Sequence, residues 1–543
     1  MKYILLSLGS ALLLLWPVRS LIRRRRCSIN YLPGPPPGAW LVGNLPDILC
    51  PKEQGEVELA WLQEYGTTLH IKHTFGQDML WIADPKGLQY ILNTGYNFPK
   101  AKEHIAAMDM LFGRGIIWAA GSEHARQRKM MASSFTFSAL RGYIPLFQQI
   151  AQRAVNRIKN DTFSKTTSEV VDIMHWLPLI TLDIICEAGF GYQLNATEKG
   201  EESTLAAVSH NLFPEVFYDR PIISLALETV AVYVPASLVN LAFRIPFRKV
   251  KRLYKYRKVT REEAQDIVNE QMKLRVDGKG DSRDIMSTLV KASTAEDPGL
   301  KLNRRQILAQ ITNLFFAGHD TCAITTTWAI YHLSRNPEYQ ALIREEIKAT
   351  RAVAAKRGDD ELTITDFDSM KYLLAAVKET LRLTPVVSGL AREAGKDEVI
   401  PLAIPQKTKT GEIITSVPVR KGTKIWMALM TYNRLPEVWG LETNQWHPER
   451  FLEGRTGGQK GSLEQRSVAG FRDVWGGVLG IVFHLPSRIL EMQAILIEML
   501  ENFEFSPPPG NVTIMMQASV ITAPMVKGGK EGEAELPVSM RVL

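Results

Sequence analysis

Five consecutive residues, Ala317, Gly318, His319, Asp320 and Thr321, place an imidazole, a carboxylate and a hydroxyl inside a stretch, residues 311–332, whose first half is apolar on nearly every face. A surface helix keeps one wet side, so a run this apolar predicts a helix buried in the middle of a large domain. A core would fill the five positions with larger apolar side chains, and small and polar ones make room for something. Gly318 lets a flat or bulky group approach the backbone. Asp320 and Thr321 can bond carbonyls of the preceding turn or, where the helix opens, a bound water. The bland alternative is a Gly/Thr packing notch against a crossing helix.

Two further groups could do chemistry in company. Glu379 and Arg382, three apart in residues 371–385, share one face of a helix that is otherwise apolar. Arg450, in the His447-Pro-Glu-Arg-Phe451 segment, supplies a second guanidinium able to complete a fork against the Glu379 carboxylate. Alone, Glu-x-x-Arg on a helix is generally a surface ion pair. Arg126, Arg128 and Lys129 crowd a short basic helical segment over residues 121–131. Such a segment is usually a solvated face, but one abutting a core can clamp a buried anion.

The elements that position these residues are signalled around them. Asn303 with Gln306 three places on resembles an N-terminal cap, and Asn336-Pro337 stops the helix and starts another. Alternation between Tyr65 and Asp84, split at Gly76, predicts a small sheet of two strands. Residues 169–195 carry helical apolar spacing and read as core, and residues 277–299, rich in Gly, Asp and Lys, read as a surface loop. Residues 213–258 turn aliphatic and aromatic, then basic. They form either a membrane-dipping lid over an apolar entrance or two core helices joined at Pro235 with a wet basic end.

Tyr3 to Val18 is a nearly uninterrupted Leu-rich run followed by Arg23 to Arg26, a pattern that holds the run in a bilayer with its far end in the cytosol. A cleaved signal peptide would carry its basic residues ahead of the run. Residues 1–22 are therefore expected to be a membrane anchor, residues 23–40 a basic hinge stiffened by Leu32-Pro-Gly-Pro-Pro-Pro-Gly38, and residues 41–543 one large domain. The four cysteines, Cys27, Cys50, Cys186 and Cys322, show no paired spacing, which implies a reducing compartment. The net charge of +8 is local, in residues 23–26 and 244–258, and suits membrane lipid or an acidic protein partner as well as nucleic acid. No HExxH, GxSxG or convincing GxGxxG is present, which argues against a hydrolase or a nucleotide enzyme.

An anchor, a Pro-Gly hinge, Ala-Gly-His-Asp-Thr in a long helix, Glu-Thr-Leu-Arg after it and Pro-Glu-Arg-Phe after that come in the order seen in the haem-thiolate monooxygenases, the cytochromes P450. The chain resembles their eukaryotic, microsomal and fungal members from Leu32 to Lys527. The resemblance implies a mainly α fold with a small β-sheet region, in one large catalytic domain with an N-terminal transmembrane helix. The domain would sit on the cytosolic side of the endoplasmic reticulum membrane. It implies haem as cofactor, electrons from NADPH through a reductase, a lipophilic small-molecule substrate and no nucleic-acid partner. Asp320 and Thr321 match the acid and alcohol that deliver protons during oxygen activation, and Ala317 with Gly318 the notch that leaves space for it. Glu379, Arg382 and Arg450 match a structural triad behind the haem, and Arg128, His124 and Arg392 match contacts to its propionates.

One departure falls at the axial ligand. The family carries a Gly-rich loop ending in Cys-x-Gly, whose thiolate is the fifth iron ligand. Here Val474-Trp-Gly476 resembles the approach to that loop and residues 490–494 the helix after it, but the residues between are too few and contain no cysteine. Counting back from Glu491 puts Val482 where the thiolate belongs. A misplaced exon boundary, loss of the ligand in the organism, and His484 as a substitute ligand are three explanations, the last disfavoured because imidazole ligation suits electron transfer or peroxidase-like chemistry. The runner-up function is a haem-free remnant of the fold that binds apolar ligands or partners without catalysis.

Overall fold

The computed structural model describes residues 28–231, 247–276, 285–293, 301–452 and 485–543. The expected anchor over residues 1–22, the arginines 23–26, the Val474-Trp-Gly476 approach, Val482 and His484 lie outside the described residues. Among the described residues no helix is long and apolar enough to cross a membrane.

The strands are β1 (Thr68–Lys72), β2 (Asp78–Ile82), β3 (Ser168–Asp172), β4 (Leu390–Glu393), β5 (Glu398–Lys407), β6 (Ile413–Val419), β7 (Lys424–Met427), β8 (Phe503–Ser506), β9 (Ile514–Gln517), β10 (Ala523–Val526) and β11 (Pro537–Val542). The two strands expected between Tyr65 and Asp84 form and pair antiparallel, Thr68 opposite Ile82. They are half of a larger sheet of order β1-β2-β7-β4, because β2 also pairs in parallel with β7. That sheet is covered on both faces: Leu80 and Ile82 pack into the main core, while Leu69, Ile71, Met79 and Trp81 pack into a smaller cluster with Trp61 and Trp426. A second sheet runs β3-β11-β8, and β5 with β6 and β9 with β10 form two-stranded ladders. Residues 168–172 are therefore strand, where helix was expected from residue 169. Their Val170-Val171 pair answers to β11 of the C-terminus, a partner that local spacing cannot reveal.

The helices that matter to the site are α1 (Glu56–Tyr65), α2 (Gly121–Met131), α3 (Phe137–Thr162), α4 (Ile173–Ile184), α5 (Ile222–Ala231), α6 (Arg248–Val276), α7 (Ile285–Ser293), α8 (Arg304–Ser334), α9 (Pro337–Arg357), α10 (Lys371–Leu383) and α11 (Leu485–Asn502). α7 corrects the surface loop expected over residues 277–299. Ile285, Met286, Leu289 and Ala292 recur at helical spacing and are buried, so apolar periodicity overrides the Gly- and Asp-rich surroundings. α5 buries Leu225 and Ala226 and exposes Ile222, Ile223 and Leu227, so it is neither a fully buried core helix nor a wet one.

α8 is the centre of the arrangement. Asn303 caps it as expected: its side chain accepts from the Gln306 amide at 3.0 Å, and the Gln306 side chain accepts from the Asn303 amide at 3.0 Å. Asn336-Pro337 ends it and opens α9. Ile311, Leu314, Phe315, Ile324 and Ile330 are all buried, and α4, α6, α10 and α11 pack around it, which is why this helix can afford no wet face.

Candidate active site

The middle of α8 holds the five residues singled out by type. Ala317, Gly318 and His319 are buried, and Asp320 and Thr321 are partly so. The Thr321 hydroxyl donates to the Ala317 carbonyl at 2.8 Å, and His319 lies 3.1 Å from Asp320 Oδ1 through Nε2. Asp320 lines a small cavity with Met174, Ser209, His210 and Asn211. On the same side Phe316 stacks on Phe112 at 4.7 Å and meets Phe213 at 4.6 Å, and Tyr256 adds a third contact to the group, so the wall beside Asp320 is aromatic.

Gly318 does not face open space. A Cβ built there would lie 2.8 Å from Cγ1 of Ile185, the residue that follows α4, so at this position the helix crossing is as close as a missing side chain allows. The packing notch left open by the sequence is what the structure shows at Gly318. Arg488 of α11, which lines a small cavity together with Ile185, donates to the carbonyls of both Ala317 and Gly318. Neither Ile185 nor Arg488 is legible as a partner in the sequence, since both contacts join elements more than a hundred residues apart.

Glu379, Arg382 and Arg450 are brought together. Arg382 grips Glu379 with two bonds of 2.7 Å, and both side chains are fully buried. Arg450 approaches the same carboxylate with Nε at 3.5 Å, while its terminal nitrogens bind the carbonyls of Trp439 and Glu442, so it makes one long ion pair in place of the expected fork.

The expected anion contacts divide. His124 of α2 is buried and its Nδ1 meets the Tyr96 hydroxyl at 3.1 Å. Arg128, one turn on, is exposed. The basic face of α2 points outward because the buried positions of that helix are His124, Gln127 and Met131. Arg392 of β4 is buried, donates to the Ala391 carbonyl at 3.0 Å, and is pushed down to about 10 by burial.

Lys100, which the sequence does not single out, lies in an antiparallel bridge with Arg392 and donates to the carbonyls of Ile116, Ile117 and Ala119. Burial first, and Arg392 second, push its ammonium down to about 7. The same two effects, with Lys100 added, push His104 down to about 3. Among the described residues no carboxylate pairs with Lys100 or Arg392. A buried guanidinium beside a half-buried ammonium is costly unless an anion joins them or the ammonium gives up its proton.

A family model for cytochrome P450 matches residues 33–469. The chain belongs to the cytochrome P450 family. It is 28% identical over 539 residues to the cytochrome P450 monooxygenase claP of Ampulloclitocybe clavipes, covering 98% of this chain and 97% of the relative. It is also 28% identical over 522 residues to ganoderic acid synthetase CYP5150L8 of Ganoderma lucidum, covering 92% of each, and 26% identical over 549 residues to cytochrome P450 monooxygenase 91 of Postia placenta, covering 97% of each. Membership brings with it monooxygenase activity, haem as cofactor and electrons from a reductase partner.

How well these residues suit a haem can be asked of each end of the group. At the carboxylate end the donors fit, because Arg392 is a buried guanidinium with the half-buried Lys100 ammonium beside it and no carboxylate paired to either among the described residues. At the iron end they do not. Past Cys322 the sequence has no cysteine. The Cys322 thiol sits between Arg488 and Glu491 and is held protonated by burial and by the Glu491 carboxylate, while burial likewise raises Cys186. Beside Gly318, Ile185 and Arg488 take up the notch. The residues described for this P450 chain therefore do not make a haem-thiolate centre.

Proposed function

We propose that the activity to which this fold belongs is haem-dependent monooxygenation of a lipophilic small molecule in fungal secondary metabolism, terpenoids among the candidates. NADPH would supply electrons through a reductase at the endoplasmic reticulum membrane. The observation that carries the reading is the Lys100–Arg392 bridge, a half-buried ammonium beside a buried guanidinium with no carboxylate paired to either among the described residues, a setting that would suit the propionates of a porphyrin. The aromatic wall of Phe112, Phe213 and Phe316 supports an apolar substrate, and the name of the Ganoderma relative supports a terpenoid-like one. In this reading Asp320 and Thr321 are the proton-handling pair, His124, Arg128 and Arg392 hold the propionates beside Ala317 and Gly318, and Glu379, Arg382 and Arg450 brace the fold behind them.

A second reading has its own observation. The sequence has no cysteine after residue 322, and the notch at Gly318 is packed, which favours a haem-free P450 fold that binds apolar molecules without catalysis. One experiment separates the two: the carbon monoxide difference spectrum of the reduced, full-length protein made with hemin supplied. A band at the thiolate position supports the oxygenase, and a flat spectrum overturns it for this polypeptide. Sequencing the transcript across codons 470–490 tells whether a cysteine-bearing form accompanies this one.

A further inference from the structure

Arg488 lies in the first turn of α11 and is carried into the core, with only 8% of its surface exposed. Its Nη2 donates to the Ala317 carbonyl at 3.0 Å and its Nη1 to the Gly318 carbonyl. The same Nη1 lies 3.3 Å from Cys322 Sγ and 3.4 Å from Glu491 Oε2, and the Cys322 thiol donates to that carboxylate oxygen at 3.4 Å. One guanidinium thus joins two turns of α8 to α11. The Ala317 carbonyl that Arg488 reaches also accepts from the Thr321 hydroxyl.

The contact has no easy exit. Withdrawing the guanidinium would leave Glu491 buried without its cation, and that carboxyl is already raised to about 7, by burial above all, with Oε1 unpartnered. Ile185, which lines the same small cavity as Arg488, packs against Gly318. The two carbonyls at issue belong to Ala317 and Gly318, the residues that would have to stay open if a flat group lay beside this turn.

We infer that Arg488 seals the haem side of α8 in this chain: α11 is docked on the Ala317–Gly318 notch through a buried guanidinium, and a porphyrin enters only when that contact is broken. The inference rests on the family reading of where the porphyrin lies. It concerns entry of haem and says nothing of what the iron would then do, so the two can fail separately.

The test is a titration of the purified full-length protein with hemin, read by the Soret band and by quenching of tryptophan fluorescence, on wild type, Arg488→Met and Glu491→Gln. Methionine keeps an unbranched apolar stem in the core and removes the charge and donors. Wild type is expected to show no saturable, stoichiometric uptake. Arg488→Met is expected to show saturable, stoichiometric uptake. Glu491→Gln removes the carboxylate that would be stranded when the guanidinium withdraws, so it is expected to take up hemin to an extent between wild type and Arg488→Met. Stoichiometric haem in wild type overturns the inference, as does a folded Arg488→Met that takes up no more hemin than wild type. If Arg488→Met does not fold, the wild-type titration decides alone, with uptake overturning the inference and its absence supporting it. Haem uptake without a thiolate band on carbon monoxide addition would instead count against the oxygenase reading.

Discussion

Arg382 places all five of its donors on fixed acceptors: Nε and Nη2 on Glu379, Nη1 on the carbonyls of Asn433 and Thr443, and Nη2 again on that of Gln445. An ion pair this deep is held by such saturation, because each charge has been taken out of water. Arg382→Ala should therefore lower the free energy of unfolding by about 3–5 kcal/mol, chiefly through the unpaired carboxylate it leaves behind. Urea melts of the two proteins check it, and a loss within the range of a surface pair would show that Glu379 finds another cation. The sequence reveals the pair through its i, i+3 spacing and even names Arg450 as a companion. What spacing cannot disclose is depth, since Glu-x-x-Arg reads the same on a wet helix. The three carbonyls that fix the depth belong to the loop after residue 432, some fifty residues downstream.

At the scale of elements, two contacts between secondary structures set measurable terms. Glu58 of α1 accepts from the indole N–H of Trp81 on β2 and of Trp426 on β7, both at 2.8 Å, and so pins the helix across two neighbouring strands. Burial raises its carboxyl from 4.5 to about 7, against the two indole bonds that lower it. The folded state then keeps a proton that the unfolded chain has released, so the stability present below pH 4.5 is lost as pH rises to about 7. Glu58→Gln keeps the acceptor oxygen and cannot ionise. It should match wild type near pH 4.5 and exceed it at pH 8 by up to about 3 kcal/mol, and a difference that does not change with pH would refute the assignment. Gly318 tests the crossing of α8 over the end of α4. Gly318→Ala drives a methyl to 2.8 Å from Ile185 and should cost about 1–3 kcal/mol. In an Ile185→Ala background only the residue 185 Cβ, 3.3 Å away, stays close to that methyl, and the same change should no longer destabilise, with a gain of up to about 1 kcal/mol from the helix preference for Ala over Gly. A sign that stays the same in both backgrounds would mean that Ile185 is not what Gly318 accommodates. α8 itself, its cap and its stop are legible because they are local. β3 and α7 are not, since the first is defined by a partner at the C-terminus and the second is a short apolar helix inside a loop-like composition.

Over the whole molecule, one hydrophobic core joins described residues from Ile29 to Met540, and the last strand is what closes it. β11 lies between β3 and β8, with Met540 opposite Glu169 on one side and Phe505 on the other. The backbone amides of Val542 and Leu543 extend the pairing to the carbonyls of Thr167 and Asn502, and Val538 and Met540 are fully buried. Mainly helical architecture with minor sheet can be read from composition and spacing. The closure cannot, because it pairs residues more than three hundred and sixty positions apart, and no period links the two ends of a chain. Removing residues 537–543 would strip both ladders at once and leave β3 and β8 as unpaired edges beside exposed core. Because the loss is shared by α3, through Lys159 on Asn502, and by α4, whose first amide bonds the Leu536 carbonyl, it should reach the helices around α8 as well as the sheet. The truncated protein should therefore melt well below wild type by circular dichroism and elute as aggregate on size exclusion. If it melts cooperatively at the wild-type temperature, then β11 decorates the domain, and the closure has to be sought in the packing of α8 against α4 and α11.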